Sequence, residues 1–291
     1  MQKMLGNKKA YWIFVIPALV IYLVMAFIPI AMSGYYSTMQ WDGIGEKIFI
    51  GIDNYLELVK DEAFLLSARN SLILAVASIV GQLIPALFFA LVLARNIKGE
   101  RAYRTIYFIP VLLSTVVIGQ LFLKIYNPDY GALNAVLTKL GLEGKDWLGD
   151  KRYVLASSFF PIVWQYIGYH MLILYTGIKS VPSDIYEAAQ IDGAGEWQTY
   201  RRICLPLCKG AICSAAILVF IDYWNMVEQP LILLTDAETH PLSVFLSKIN
   251  EGEIGLAFAV ATIYMVPSLL IFLYGEEYLV DGITYQGGIK G

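Results

Sequence analysis

Charge is scarce in this chain. Of its 291 residues 15% are Asp, Glu, Lys or Arg and 58% are hydrophobic, with a mean hydropathy of +0.60. A soluble domain carries about 25% charged residues, so the composition excludes an ordinary soluble body and indicates an integral membrane protein. Cysteine and histidine are also few, at three and two. Cys204, Cys208 and Cys213 lie close together, but Pro206 separates the first two and no histidine is near, which is not the donor set of a zinc site. No Gly-x-x-x-x-Gly-Lys-Ser/Thr loop occurs, so the chain has no phosphate cradle with which to hydrolyse ATP. HExxH and GxSxG are missing too, which leaves an intramembrane hydrolase without its groups. No internal repeat and no low-complexity tract divides the sequence.

Long apolar runs are what the chain has instead. A spanning helix needs about 20 mostly apolar residues, and six stretches qualify: 10–32, 71–94, 106–125, 154–178, 210–234 and 256–274. Six spans put both termini on one side. The segments on that side hold 12 of the 21 basic residues, including Lys3, Lys8, Lys9, Arg95, Lys98, Arg101, Arg104, Lys179, Arg201, Arg202, Lys209 and Lys290, against 8 acids. The opposite side holds 9 basic residues and 14 acids, so the faces carry +4 and −5. The positive-inside rule makes the first side cytoplasmic, with the short basic loop 95–104 as its strongest vote. The first run is about twice the length of a signal-peptide core and has no small-residue cleavage site, so it reads as a retained anchor. Cysteines on the reducing side are expected to be thiols. The organisation expected is a cytoplasmic start (1–9), a six-span body (10–280) with a cytoplasmic loop at 179–209, and a cytoplasmic tail (281–291).

The external segments carry turn and cap signals. In 34–69, Asp53 or Asn54 is expected to cap a short helix. In 127–153, the turn Asn127-Pro-Asp-Tyr-Gly131 leads into a helix at 132–140 with Leu133, Val136, Leu137 and Leu140 on one face. The third segment, 235–255, is acidic and contains Thr239-His-Pro-Leu242.

The cytoplasmic insert 187–206 is the most informative stretch. Pro182 ends span four, Asp184 stands where an N-cap would and Glu187 follows three residues later, a capping-box spacing. Gly193 and Gly195 are expected to break this helix, and a second one to run over 196–203 before Leu205 and Pro206 lead into span five. The product is an elbow in which Ile185, Ala188, Ala189 and Ile191 face a partner while Glu187 and Asp192 reach charged groups. The alternative is an amphipathic connector lying on lipid, but such helices are strongly basic and this loop is nearly charge-balanced.

Asp222 and Glu228 both fall in the fifth run. At about 1.5 Å per residue from Lys209, Asp222 is roughly 20 Å deep, where an acid costs about 2.5–3.5 kcal/mol unless it faces protein, water or a cavity. Asp222, Trp224 and Asn225 together offer hydroxyl acceptors beside an aromatic face, the chemistry of a sugar site. Glu228, Trp164 and Gln165 are further path candidates. The competing reading is that Asp222 pairs with a partner helix, Glu228 is solvated at the rim, and Gln82, Gln120, Trp164, Gln165, Tyr166 and His170 act as interhelical glue.

At the cytoplasmic loop the chain resembles the inner-membrane permease subunits of binding-protein-dependent ABC importers. Glu187, Ala188, Ala189, Gly193, Ile203, Leu205 and Pro206 occupy the places of that family's hallmark. The longer form, with Asp192 and Trp197, is similar to the carbohydrate-uptake branch that includes maltose and glycerol-phosphate permeases. Gly51-Ile-Asp-Asn-Tyr55, the run 103–110, Asn127-Pro-Asp-Tyr-Gly131 with Asn134, Trp147-Leu148 and Tyr186 extend the likeness over nearly the whole chain. The front half looks like the maltose-type subunit, whereas Trp224-Asn225, Pro230-Leu231, Pro241-Leu242 and the terminal Gly287-Gly-Ile-Lys-Gly291 look more like its sister.

The resemblance implies an all-α integral membrane fold of six transmembrane helices, the type I importer permease, with a cytoplasmic coupling-helix elbow. It implies a bacterial or archaeal cell membrane, a second permease (a sister subunit or a second copy), two ATPase subunits and an extracytoplasmic sugar-binding protein, with lipid around it and no nucleic acid. Glu187, Ala188, Ala189, Asp192, Gly193, Leu205 and Pro206 would form the ATPase-coupling surface. This chain would bind no cofactor, ATP and magnesium belonging to the ATPase partners, and the terminal tail would reach between them. The rival class is a proton-coupled secondary transporter titrating at Asp222, Glu228 or His170.

Overall fold

The computed structural model describes residues 8–248 and 253–284. Lys3, Lys290 and the tail from residue 285 onward, expected by resemblance to reach between the ATPases, lie outside the described residues. The chain divides into two compact units, residues 1–65 with 246–266 and residues 66–245 with 267–291.

In the first unit, α1 (Lys8–Tyr22) continues through a π turn (Leu23–Phe27) into α2 (Ile28–Tyr36). The turn widens for a local reason: Pro29 has no N–H to give to the carbonyl four residues back, and the Ile28 N–H reaches instead to Leu23 O. A two-residue hairpin follows, β1 (Met39–Gln40) antiparallel to β2 (Ile48–Phe49), and then α3 (Asp53–Leu58). Neither Asp53 nor Asn54 caps α3, a correction to the expectation, because the helix begins one residue earlier with Ile52 at the cap. Asp53 sits in the first turn, where the helix dipole favours an acid. Asn54 is buried, and its side-chain amide donates to Ser37 O at 2.8 Å and Met39 O at 3.0 Å. The first turn of α15 (Ile254–Thr284) docks on the same hairpin. Gly255 donates to Trp41 O at 3.1 Å, and a Cβ there would lie 2.0 Å from Met39 O.

The second unit is the helical bundle. Helix α4 (Glu62–Ala94) enters it and is followed by α5 (Glu100–Phe108), a 3₁₀ turn (Ile109–Leu112), α6 (Thr115–Ile125), α7 (Ala132–Lys139) and α8 (Val154–Lys179). Then come α9 (Ser183–Ile191), α10 (Glu196–Thr199), a π turn (Tyr200–Cys204), α11 (Leu205–Leu207), α12 (Lys209–Trp224), α13 (Glu228–Leu233) and α14 (Leu242–Leu246). Among the described residues three helices are long and apolar enough to cross a membrane alone: Trp12–Tyr36, Glu62–Ala94 and Ile254–Val280. Two bent pairs qualify together, Glu100–Leu112 with Thr115–Ile125 at 91° and Glu196–Leu207 with Lys209–Trp224 at 67°. Helix α8 has the length, with 26 residues, but too many polar groups to meet that test; half of it is buried among other helices, including Gln165 and His170.

Two expected spans are therefore corrected. The run 106–125 is not one straight helix: Leu113 and Ser114 are extended after Pro110, and Gln165 of α8 donates to the freed Leu113 carbonyl at 3.0 Å. The run 210–234 stops at Trp224, where the Asn225 side chain donates to Ile221 O at 2.8 Å and competes with helical continuation. Glu228 consequently stands on the separate short helix α13, which packs against α6 and α8. In 127–153 the Asn127 side chain accepts from the Asp129 and Tyr130 N–H groups, and α7 ends one residue before the expected Leu140. Buried Asn134 is fully used, accepting from Lys145 N and Trp147 Nε1 and donating to Pro128 O and Lys145 O. Leu133 packs against the cluster of Ile118, Phe122, Tyr126 and Leu233, whereas Val136 and Leu140 of the same expected face are exposed.

Close approach holds α8 to α5: a Cβ on Gly168 would lie 1.8 Å from Tyr107 O. The main core joins Ala86, Ala90 and Leu93 of α4, Met171, Leu174 and Ile178 of α8, and Cys204, Cys208 and Ala215 between the π turn and α12.

Candidate functional site

Two polar sites stand on this bundle. The first is the elbow. Helix α9 starts at Ser183 with Pro182 at its cap, so Asp184 lies in the first turn rather than at the N-cap, and no side chain caps it. Its far end is built by the backbone. Ala194 N–H donates to Ala189 O at 2.9 Å and Gly193 N–H to Gln190 O at 3.0 Å, with Gly193 at φ +76°. This is a Schellman closure, in which the glycine takes the left-handed conformation that ends the helix. The spacing from Ala189 to Gly193 is thus the spacing of one capping motif. The Gly195 N–H then donates to the Gln198 side chain at 3.3 Å and α10 begins. The expected second helix is interrupted by a π turn ahead of Pro206, whose missing N–H widens the coil as Pro29 does in α2; Leu205 N–H reaches Tyr200 O.

The elbow's two faces differ in kind. Inward, Ala189 is buried, Tyr186 donates to Cys204 Sγ at 3.3 Å, and Cys204 and Cys208 meet at 4.0 Å as free thiols within the main core. Burial, followed by the Cys204 contact, pushes the Tyr186 phenol up, and the hydrogen bond with Cys204 together with burial raises Cys208. Outward, Glu187, Ala188, Asp192, Gly193 and Pro206 are exposed, with Ile191 at 86% and Trp197 at 69%. Leu205 is half-buried. The expected apolar face is accordingly split, since Ala189 turns inward and Ile185 is half-buried while Ala188 and Ile191 remain outside. Trp197 completes the outward patch. Arg95, in the loop between α4 and α5, pairs with Glu196 and lies over the Tyr200 ring at 5.7 Å, and Lys179 donates to Asn96.

The second site is a cavity of about 590 Å³ lined by Val111, Thr115, Tyr166, Tyr169, Asp222, Asn225, Met226, Val227, Glu228 and Gln229. That lies within the size range of small-molecule sites. The breaks in the spans build it: the bend before Thr115 opens one wall, and the stop at Trp224 lets the chain line another. Asp222 and Asn225 are three residues apart and share a helical face. Of the path candidates, Asp222, Asn225 and Glu228 line this space, and Trp224, Trp164 and Gln165 do not. Trp224 is buried and stacked on Phe220, with centroids 5.4 Å apart. Trp164 packs against Phe122 at 6.1 Å. Gln165 is fully buried between Leu113 O and the Gln229 amide, which donates to it at 3.0 Å. Tyr166 and Tyr169 supply the aromatic wall instead, residues 166 and 169 sharing a face as 222 and 225 do. Thr115 donates to Glu228. Of the other residues weighed as glue, Gln82 donates to the Tyr223 hydroxyl, Gln120 is exposed, and neither ring nitrogen of buried His170 has a partner among the described residues.

Comparison with known proteins agrees with this architecture. The chain is 34% identical over 286 residues to the probable ABC transporter permease protein YurN of Bacillus subtilis, covering 95% of this chain and 98% of that one. It is 30% identical over 284 residues to the trehalose/maltose transport system permease protein MalF of Thermococcus litoralis, covering 94% of each. A chain in the crystal structure of a bacterial ABC transporter involved in import of the acidic polysaccharide alginate shares the fold, with a TM-score of 0.79 over 99% of both chains at 21% identity. The proton-coupled reading finds no support among them. Residues 63–284 match the family described as binding-protein-dependent transport system inner membrane component, and with both relatives aligning over nearly their full lengths the chain belongs to that family of ABC transporter permeases.

Proposed function

We propose that this chain is one of two permease subunits of an ATP-driven importer for a sugar or oligosaccharide delivered by an extracytoplasmic binding protein. The observation that carries the proposal is the two-sided elbow: its inner face is locked into the core of α4 and α8, and its outer face presents Glu187, Ala188, Ile191, Asp192 and Trp197 to solvent. Such a patch fits a groove on a cytoplasmic ATPase, with Glu187 accepting a charge-assisted bond from a basic residue. Closure of two ATPases would push the elbow, and the core contacts would carry the push into α4 and α8 as a rigid-body shift. In this reading ATP and magnesium belong to the partners, this chain holds no cofactor, and both termini are cytoplasmic. Asp222, Asn225 and Glu228 lie along the path. A relative named for trehalose and maltose supports the sugar class, and the partner proposed is a second permease, a sister subunit or a second copy of this chain.

The test is reconstitution of the complex with Glu187→Ala and Ile191→Asp variants. Both should insert normally and lose transport-coupled ATP hydrolysis or ATPase co-purification by about tenfold or more. Undiminished coupling in both variants would sink the docking assignment.

A further inference from the structure

We infer that the cavity at Asp222 selects by charge, accepting uncharged or ammonium-bearing saccharides and rejecting acidic ones, with Asp222 and Glu228 as specificity-determining residues. The inference rests on reading the cavity as part of the path proposed above, and it names the substrate class for that site.

Both charged side chains of the lining are carboxylates, and no Lys, Arg or His stands among the lining residues. The remaining polar members are the hydroxyls of Thr115, Tyr166 and Tyr169 and the amides of Asn225 and Gln229. The groups without a partner among the described residues include two acceptors, Asp222 and Gln229 Oε1, beside the Tyr166 and Tyr169 hydroxyls, which can donate or accept. Asp222 makes no hydrogen bond to a described residue, and Gln229, fully buried in the wall, uses its Nε2 on Gln165 while its Oε1 has no partner among the described residues. A buried acceptor left without a donor is disfavoured, and the hydroxyls of a sugar are donors. A uronate or sulfated sugar brings the opposite requirement: its anion needs an Arg or Lys fork. Here it meets two carboxyl groups in a partly enclosed space, and like-charge juxtaposition is an established means of excluding wrong ligands.

The Tyr166 and Tyr169 rings and the apolar Val111, Met226 and Val227 give the C–H faces of a pyranose a surface, without adding positive charge. The site therefore discriminates in the membrane, independently of the external binding protein.

The experiment uses the intact complex, this chain with its companion permease and ATPases, in lipid nanodiscs without binding protein. Equilibrium binding is read for maltose, trehalose, cellobiose and glucosamine disaccharide against digalacturonate. The expected result is that at least one uncharged or amino disaccharide binds about tenfold or more tightly than digalacturonate, and that Asp222→Asn with Glu228→Gln reduces this ratio to about threefold or less. Single variants are measured in parallel in case the double variant assembles poorly, each being expected to lower the ratio. Digalacturonate binding as tightly as the best uncharged sugar, or a ratio unmoved by the substitutions, overturns the inference. Binding of no saccharide, in a complex whose ATP hydrolysis still responds to loaded binding protein, overturns the cavity's role and leaves the importer standing. Loss of that response in the unmodified complex overturns the importer reading and the charge selection with it.

Discussion

The elbow and the cavity are both polar places in an apolar chain, and they are made in opposite ways. The elbow is a local object: Ala189, Gln190, Gly193 and Ala194 close it through their own backbone, and its working side chains point outward from one continuous stretch. The cavity is assembled from α6, α8, α12 and α13, and it exists because two helices break where distant side chains, Gln165 at Leu113 and Gln229 at Gln165, supply bonds between segments. Glycine marks the same contrast. Gly193 is needed for its backbone angle, with nothing within 4 Å of a Cβ, whereas Gly168 is needed for proximity to Tyr107. One site depends on conformation and the other on contact between helices.

Three substitutions probe that contrast. The largest effect is expected from Gly168→Ala, whose Cβ would stand 1.8 Å from Tyr107 O. Overpacking of this kind costs about 1–3 kcal/mol and occasionally more, so the thermal midpoint of the purified complex should fall by several degrees and saccharide binding should drop with it. An unchanged midpoint would show that the α5–α8 approach is not what holds the bundle.

Gln165→Leu comes next. It strips the Leu113 carbonyl and the Gln229 amide of a buried partner, a loss of about 1–3 kcal/mol, and should weaken saccharide binding while leaving ATPase co-purification intact. Equal loss of both would mean that the two sites are not separable. The smallest global effect belongs to Gly193→Ala. Holding alanine in the left-handed region costs about 1–2 kcal/mol, absorbed at the elbow, so ATPase affinity should decline several-fold with little movement of the thermal midpoint. A midpoint shift as large as that of Gly168→Ala would break the distinction between the two glycines.

The same division decides what could be read in the sequence. The elbow was legible because its determinants are adjacent: a proline, a helix-length polar run and a glycine four residues after Ala189 already specify a capped helix. Even there the phase is not legible, since nothing local says that Ala189 turns inward or that Trp197 stands outside. The cavity was only partly legible. Asp222 and Asn225 share a face by spacing, but the same spacing places Trp224, two residues on from Asp222, toward the opposite side, where it stacks on Phe220. Tyr166 could be weighed from the sequence as a lining residue or as glue, whereas Thr115, Tyr169 and Gln229 give no sequence signal, because the break before Thr115 is stabilised by a residue 52 positions from Leu113 in α8. Apolar periodicity sees the runs 106–125 and 210–234 as continuous. It carries no information about a hydrogen bond between helices.

The two π turns have a consequence for alignment. Each is a single extra residue in a helix, at Leu23–Phe27 and Tyr200–Cys204, tied to Pro29 and Pro206. One residue rotates a helix by about 100°, so the sequence on either side of such a turn belongs to two different helical wheels. A homologue that lacks one residue between 200 and 204 closes the π turn to ordinary α-helix and keeps Asp222 in phase, whereas a gap placed beyond residue 204 would move the aligned position about 100° around the helix, away from the cavity. Gap placement in this segment therefore decides whether two relatives are being compared at the same site.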